Sequence, residues 1–173
     1  MKKEPVLVIA AIGLLTGCVL GMTGSFVPSD VARSILWAID ACGIILAGAL
    51  LALYLSKRGY DIAAGGFLIL AIGESIVFTS SAVDLTTSIP AFGVGVCLWA
   101  LSIAVVSSQK LFPLFVRCTG IIAALLFAIT AFQIFTGHPA TALTKPLPTY
   151  AYPFYAITLA GWAWTLVYKK AGL

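Results

Sequence analysis

Charged side chains are scarce in this sequence. Ten lysines and arginines and six aspartates and glutamates make up only 9% of the 173 residues, whereas a soluble domain has about 25%. Hydrophobic residues account for 61%. So few charges cannot cover the surface of a water-soluble protein of this size, which excludes a soluble globular enzyme and a disordered chain. The composition indicates an integral membrane protein.

Residues that bind metals or carry redox chemistry are also scarce. The sequence has one histidine, His138, and four cysteines without CxxC spacing. One histidine excludes bis-histidine haem ligation and a multi-histidine metal site within the chain. The sequence also lacks P-loop, GxSxG, HExxH and Rossmann fingerprints. We therefore expect neither a cofactor nor an enzymatic activity.

Long apolar runs, in contrast, are abundant. A membrane-spanning helix needs about 20 mainly apolar residues, and six segments provide them: 6–27, 35–55, 62–83, 91–106, 114–135 and 151–168. These runs do not alternate apolar with polar residues as barrel strands do, and the prolines fall at or between the segment ends. The sequence predicts an all-α integral membrane protein, with a single transmembrane domain over residues 1–173 folded as a six-helix bundle.

The basic residues predict the orientation of this bundle. If the amino terminus is cytoplasmic, only Arg33 and Lys145 face outward. The other eight are then cytoplasmic: Lys2, Lys3, Lys57, Arg58, Lys110, Arg117, Lys169 and Lys170. Cytoplasmic loops are enriched in lysine and arginine, so we expect both termini inside, in a multi-pass protein of the bacterial inner (plasma) membrane.

Membrane lipids are the expected partners. The basic residues form no stripe with interleaved aromatic residues, which argues against a nucleic-acid partner. Tyr150, Tyr152 and Tyr155 at the outer end of the last span are typical of an interfacial aromatic belt. The tryptophans are likewise expected to be belt or packing residues rather than ligand contacts.

Cys18 has two interpretations. Residues 15–18 (Leu-Thr-Gly-Cys) match a lipobox, and cleavage there would leave Cys18 as a lipidated amino terminus. The chain stays apolar after Cys18, where a lipoprotein normally becomes polar, so we favour a cysteine within an uncleaved first span. A disulfide between Cys18 and Cys42 is a further, less favoured alternative.

Three glycines form a double GxxxG stripe on one face of the first span: Gly13, Gly17 and Gly21. Small residues let membrane helices approach closely, and close packing drives their association in lipid. The stripe predicts packing within a compact monomeric bundle, which we favour, or a homo-oligomer contact through the same glycines.

Two acidic residues fall within the predicted spans. An ionisable residue at membrane depth costs about 2.5–3.5 kcal/mol or more and usually marks function. Glu74 lies 12 residues into the third span, about 18 Å from its start, and its side chain leans towards the midplane. Asp40 lies only five residues into the second span, about 7–8 Å from the boundary, and leans towards the headgroups. Glu74 is therefore predicted to be the more deeply buried acid.

Further polar residues lie at a depth similar to that of Glu74. Helical spacing places Ser81 and Asp84 on about the same face as Glu74, and Gln133 has a comparable outer depth in the fifth span. In a functional interpretation, all of these and Asp40 line an outward-opening cavity that binds a ligand or an ion. In a structural interpretation, a protonated Glu74 is hydrogen-bonded to neighbouring helices and Asp40 reaches the headgroups.

Three classes of function follow. We prefer a carrier or channel for a proton, a cation or a small solute that uses Glu74. The alternative is a non-transporting accessory, assembly or lipid-binding protein of the membrane. An embedded enzyme ranks last because the sequence shows no catalytic constellation. The predicted helices are unbroken, which argues against transporters that bind substrate at unwound segments and leaves the first two classes nearly level.

Overall fold

The fold is given by a computed structural model, which describes residues 4–82, 85–138, 140–143 and 147–168. Regular secondary structure in these ranges is entirely helical. The helices are α1 (Pro5–Gly24), α2 (Asp30–Ser56), α3 (Asp61–Ala82), α4 (Leu85–Ser108), α5 (Leu114–Phe135) and α6 (Tyr152–Tyr168). A π-helical turn, Leu147–Ala151, leads into α6.

Five of these helices, α1 to α5, are long and apolar enough to cross a membrane. The sixth, α6, has 17 residues, slightly fewer than the about 20 that a span needs. Large apolar side chains such as Ile12, Leu53 and Phe132 are exposed on the outside of the bundle. Extensive exposed apolar surface is rare in soluble monomers. The fold is therefore consistent with a multi-pass membrane protein.

The helices form a closed ring in chain order. Each packs against the helices before and after it in the sequence, and α1 also packs against α6. Consecutive helices are antiparallel because short connections join most of them. We name the two ends of the bundle the Pro5 end and the Gly24 end, after the first and last residues of α1.

Helix α2 begins at Asp30, five residues before the predicted start of the second span. The Ser29 hydroxyl accepts a hydrogen bond from the backbone N–H of Ala32 (3.3 Å), which satisfies one of the free donors at the helix start. Asp30 then places a negative charge in the first turn, where the helix dipole favours it. Asp40 consequently lies ten residues into its helix, deeper than the sequence suggested.

Helix α4 begins at Leu85, six residues before the predicted start of the fourth span. Its second turn contains Pro90, which is near the end of this span, where the sequence places the prolines. Proline removes one backbone donor and is tolerated best near a helix start.

Helix α1 is not uniform. Its α-helical part, Pro5–Thr16, changes into a π-helical turn at Gly17–Gly21 and returns to α-helix at Met22–Gly24. Such turns are rare and frequently lie at functional sites. The turn lies within a helix that continues from Pro5 to Gly24, so α1 is irregular at this level but has no unwound segment.

The glycine stripe of α1 packs against α2 of the same chain. A Cβ atom built on Gly13 would collide with the carbonyl oxygen of Gly43, and one on Gly21 would lie 2.6 Å from Oδ2 of Asp40. The two backbones are therefore closer than side chains on α1 would allow. The stripe is covered by α2, as the intrachain alternative predicts.

Substitution of one glycine tests this close approach. We expect Gly13→Ala to lower the free energy of unfolding by about 1–3 kcal/mol, because the added methyl group forces α1 away from α2. A matched control is Gly65→Ala in α3, where an added Cβ meets no atom within 4 Å. The control should be neutral or raise stability by about 0.5–1 kcal/mol through helix propensity. Thermal or SDS-induced unfolding of both variants measures the difference, and equal stabilities would contradict the packing.

Candidate functional site

A cavity lies inside the ring, between α1, α2, α3, α4 and α6. The centre of a water-sized sphere can occupy about 50 Å³ of it, and one water needs about 10–15 Å³ by this measure. The cavity therefore has room for about three or four waters or one small ligand. Ala142, from the connection between α5 and α6, also contributes to its wall.

Two carboxyl groups line this cavity, those of Asp40 and Glu74. Asp40 is 8% exposed and Glu74 3% exposed. Asp40 lies three residues from the middle of α2 and Glu74 two to three residues from the middle of α3, both towards the Gly24 end. Each offset corresponds to about 4 Å at the rise of an α-helix, so the two acids share one depth. Asp40 lies nearer the middle of its helix than the sequence suggested, because α2 begins earlier than expected, and Glu74 is still the less exposed of the two acids.

The glycines of α1 make room for the Asp40 side chain. A Cβ on Gly17 would lie 3.0 Å from Oδ1 of Asp40, and one on Gly21 would lie 2.6 Å from Oδ2. These two glycines begin and end the π-helical turn. The Asp40 carboxyl therefore packs directly against the backbone of α1 at its irregular turn.

Aromatic side chains form much of the remaining wall. Trp37, Trp99, Tyr152 and Tyr155 all line the cavity. The Trp99 ring centroid lies 5.5 Å from that of Tyr155 and 6.4 Å from that of Tyr152, with interplanar angles of 33° and 74°. Phe127 packs behind Trp99, with its centroid 5.3 Å away. These contacts hold rings in different orientations at the level of the two acids.

Polar atoms without a hydrogen-bond partner are concentrated in the cavity wall. Within the described ranges, ten buried side-chain nitrogen and oxygen atoms lack a partner. Five of the ten belong to residues that line the cavity: Oδ1 of Asp40, Oε2 of Glu74, Oγ of Ser81, Nε1 of Trp99 and the hydroxyl of Tyr155. A buried polar group without a partner is costly, so this wall is suited to a polar or charged ligand.

Among the described residues, no basic side chain in the cavity wall balances the charge of the two acids. None of the described residues lining the cavity is lysine, arginine or histidine. The nearest arginine along the chain to Asp40 is Arg33, which forms an ion pair with Asp30 and donates to the carbonyl oxygen of Val27 at 2.8 Å. A buried carboxylate requires a compensating charge, so the site favours protons or a bound cation.

The predicted site residues have different placements. Glu74, Asp40 and Ser81 meet in the cavity. Gln133 is exposed on α5 and does not line the cavity. Asp84 lies outside the described residues. Cys18, the candidate for lipidation, lines the cavity wall from the π-helical turn.

The tyrosines of α6 differ from the expectation of an interfacial belt. Tyr150 is 62% exposed, as such a belt requires, but Tyr152 and Tyr155 are 9% and 7% exposed. Two residues three apart share one face of a helix, and this face points into the ring. The i, i+3 spacing of the two tyrosines indicates in the sequence that they share a helix face. Whether that face points into the ring depends on where α6 packs.

No protein-family model, curated protein or solved structure matches this chain.

Replacement of Glu74 by an apolar residue separates the functional from the structural interpretation. If Oε2 has no partner, Glu74→Leu removes a buried unsatisfied group and should raise the free energy of unfolding by about 1–3 kcal/mol. If Glu74 instead holds the helices together by hydrogen bonds, the same change lowers it. SDS-induced unfolding followed by circular dichroism measures the sign.

Thr158 provides a control of opposite sign. It is fully buried in α6, and its single hydroxyl proton is shared between two acceptors, the carbonyl oxygen of Phe154 at 2.7 Å and Oγ1 of Thr119 in α5 at 3.2 Å. Because Thr158→Val removes a hydrogen bond between helices, we expect a loss of about 0.6 kcal/mol.

Proposed function

We propose that this protein is a membrane carrier that binds a proton or another cation at Glu74 and Asp40. The observation that carries the proposal is the meeting of two buried carboxyl groups in one cavity without a basic residue among its described lining. Ionisable groups at membrane depth commonly mark ion and proton pathways. If Glu74 had only a structural role, we would expect its carboxyl oxygens to have hydrogen-bond partners. Its Oε2 atom has none.

An aromatic cluster favours a carrier over an open channel. Phe67, Phe112 and Trp162 lie between the cavity and the Pro5 end, with centroids of Phe67 and Trp162 5.2 Å apart. All three side chains are buried, at 0%, 3% and 0% exposure. Buried rings packed in this position favour a site that is closed towards the Pro5 end. A cation bound at Glu74 would cross only after a rearrangement, as alternating access requires.

The π-helical turn of α1 supports the same proposal. It lies beside Asp40, and its residues Gly17, Cys18 and Gly21 line the cavity. Irregular backbone at membrane depth occurs where it is buried in protein or lines a cavity. The turn therefore marks the part of α1 that contacts the ligand.

We also propose that all six helices cross a bacterial inner membrane and that both termini are cytoplasmic. Of the five lysines and arginines with described side chains, four lie at the Pro5 end: Lys57, Arg58, Lys110 and Arg117. The positive-inside rule then makes the Pro5 end cytoplasmic. The cavity, which is displaced towards the Gly24 end, would lie in the outer half of the membrane.

Ion flux into proteoliposomes tests the transport function. The reconstituted wild type should carry protons or monovalent cations down an imposed gradient, followed by a fluorescent pH or potential indicator. We expect Glu74→Gln and Asp40→Asn each to reduce the initial rate by at least about tenfold, because each removes a carboxyl group that binds the cation. A loss of ~1.4 kcal/mol in binding energy corresponds to this factor.

Asp30→Asn is the matched control for the flux experiment. Asp30 is an exposed acid at the Gly24 end of α2, paired with Arg33, and its loss should leave the rate unchanged. A wild-type rate equal to that of empty liposomes contradicts the proposal and favours the alternative class, a non-transporting accessory or lipid-binding protein. A rate that the two cavity variants leave unchanged places the pathway elsewhere.

Reporter fusions test the topology. Green fluorescent protein fused after Tyr168 should fluoresce, since it stays in the cytoplasm, whereas alkaline phosphatase at that position should be inactive. The reverse pattern is expected for fusions after Phe26, between α1 and α2. An active phosphatase after Tyr168 would contradict the placement of the Pro5 end and an even number of spans.

A further inference from the structure

The cavity wall combines carboxyl groups with aromatic rings. An inorganic ion seldom needs both. One part carries the carboxyl groups of Glu74 and Asp40, and another carries the rings of Trp99, Tyr152 and Tyr155. The Trp99 ring makes an angle of 74° with that of Tyr152 and 33° with that of Tyr155. Carboxylates attract any cation, whereas aromatic faces attract cations that have lost their water, and aromatic cages are a characteristic means of binding quaternary ammonium groups.

The size of the cavity agrees with a small ammonium group. Treated as a sphere, the 50 Å³ open to the centre of a water-sized sphere has a radius of about 2.3 Å, and adding ~1.4 Å for that sphere gives a void of roughly 3.7 Å radius. A nitrogen atom with four methyl groups has a radius of about 3.5 Å, the sum of a C–N bond of ~1.45 Å and a methyl radius of ~2 Å. The fit leaves little room for a hydration shell.

A divalent metal ion is disfavoured by the same wall. Calcium takes six to eight oxygen ligands at short distance, and magnesium requires near-ideal octahedral geometry. The described part of the chain contains no group of three or more histidine, cysteine, aspartate or glutamate side chains placed to hold a metal. Indole and phenol rings cannot replace the missing oxygen ligands.

The geometry points to a small organic cation as the ligand of this cavity: a quaternary ammonium ion or a protonated amine of similar size. Glu74 and Asp40 neutralise its charge, and Trp99 and Tyr155 provide aromatic surface. Both of these aromatic residues are nine-tenths or more buried and carry a donor: Nε1 of Trp99 interacts with the Glu74 carboxyl, and the hydroxyl of Tyr155 has no hydrogen-bond partner. These two donors are available to hold the carboxylate oxygens in place beside the cation. A small organic cation is thus the substrate class of the proposed carrier. This inference rests on the proposed function for the role of the two acids.

Equilibrium binding of radiolabelled tetramethylammonium to the purified full-length chain tests the ligand class. We expect one saturable site per chain, at which tetramethylammonium competes at least about tenfold better than potassium. The neutral molecule tert-butanol has nearly the same size and should not compete. The comparison of the two ligands needs no mutation and is therefore independent of folding defects. Equal competition by potassium, competition by tert-butanol, or no saturable binding would overturn the inference.

Two substitutions of Trp99 isolate the aromatic contribution. Trp99→Phe and Trp99→Leu both remove the indole N–H, but only phenylalanine keeps an aromatic face. We expect the leucine variant to bind tetramethylammonium about 10- to 30-fold more weakly than the wild type, with the phenylalanine variant between them. The matched control is Trp164→Leu in α6, which is 45% exposed, does not line the cavity and should bind normally. Equal affinities of the two Trp99 variants would contradict an aromatic contact.

A trimethylammonium group has two sources, a free cation and the headgroup of phosphatidylcholine. Nanodiscs of phosphatidylglycerol, with and without phosphatidylcholine, distinguish them. If phosphatidylcholine weakens the binding of tetramethylammonium, the site accepts the headgroup. If it does not, the ligand is a free cation, which the position of the cavity inside the ring favours.

The flux experiment and the binding experiment can give opposite results. Proton flux that depends on Glu74, without saturable tetramethylammonium binding, would keep the proposed carrier and reject the organic cation. Saturable binding that is lost in Glu74→Gln, without any flux, would keep the ligand class and reject transport.

Discussion

The desolvation of two carboxyl groups in one buried space is the constraint on which the rest of this structure depends. Asp40 and Glu74 lie on neighbouring antiparallel helices at the same depth, in a medium where an isolated charge is costly. Each acid must be neutralised by a proton, a hydrogen bond or a cation. The surrounding features make room for these groups and leave one oxygen of each, Oδ1 of Asp40 and Oε2 of Glu74, without a hydrogen-bond partner. The cavity is therefore suited to a positively charged occupant.

The closed ring of helices explains how such a site is maintained. Because α1 packs against α6 as well as α2, six helices surround the interior, and Ala142 from the connection between α5 and α6 adds to the cavity wall. Aromatic side chains fill the half of this interior nearer the Pro5 end, where Phe67 and Trp162 are fully buried. The region around the two acids keeps open volume. Close packing on the Pro5 side thus places the cavity at the level of Asp40 and Glu74.

The helical architecture followed from the sequence because it depends on local patterns. The boundaries of α5 were predicted without error, and Glu74 and Ser81 were expected on one face because helical spacing places them there. The depth of Asp40 was not predicted. The predicted span began at the first long apolar run and did not take the helix cap at Ser29 into account. The roles of Tyr152 and Trp99 depend on which helices become neighbours around the ring, and no local pattern contains that information. The six-span count and the orientation stay predictions.

The π-helical turn of α1 has a consequence for the phase of its glycine stripe. In an α-helix four residues turn through about 400°, so residues spaced by four drift around the axis by about 40° at each step. A π-helical turn has more residues per turn, and over four residues it drifts in the opposite direction. The step from Gly13 to Gly17 is α-helical and the step from Gly17 to Gly21 is π-helical, so the two drifts largely cancel. In a continuous α-helix Gly21 would lie about 80° away from the line of Gly13, and Asp40 would face a surface with side chains instead of bare backbone.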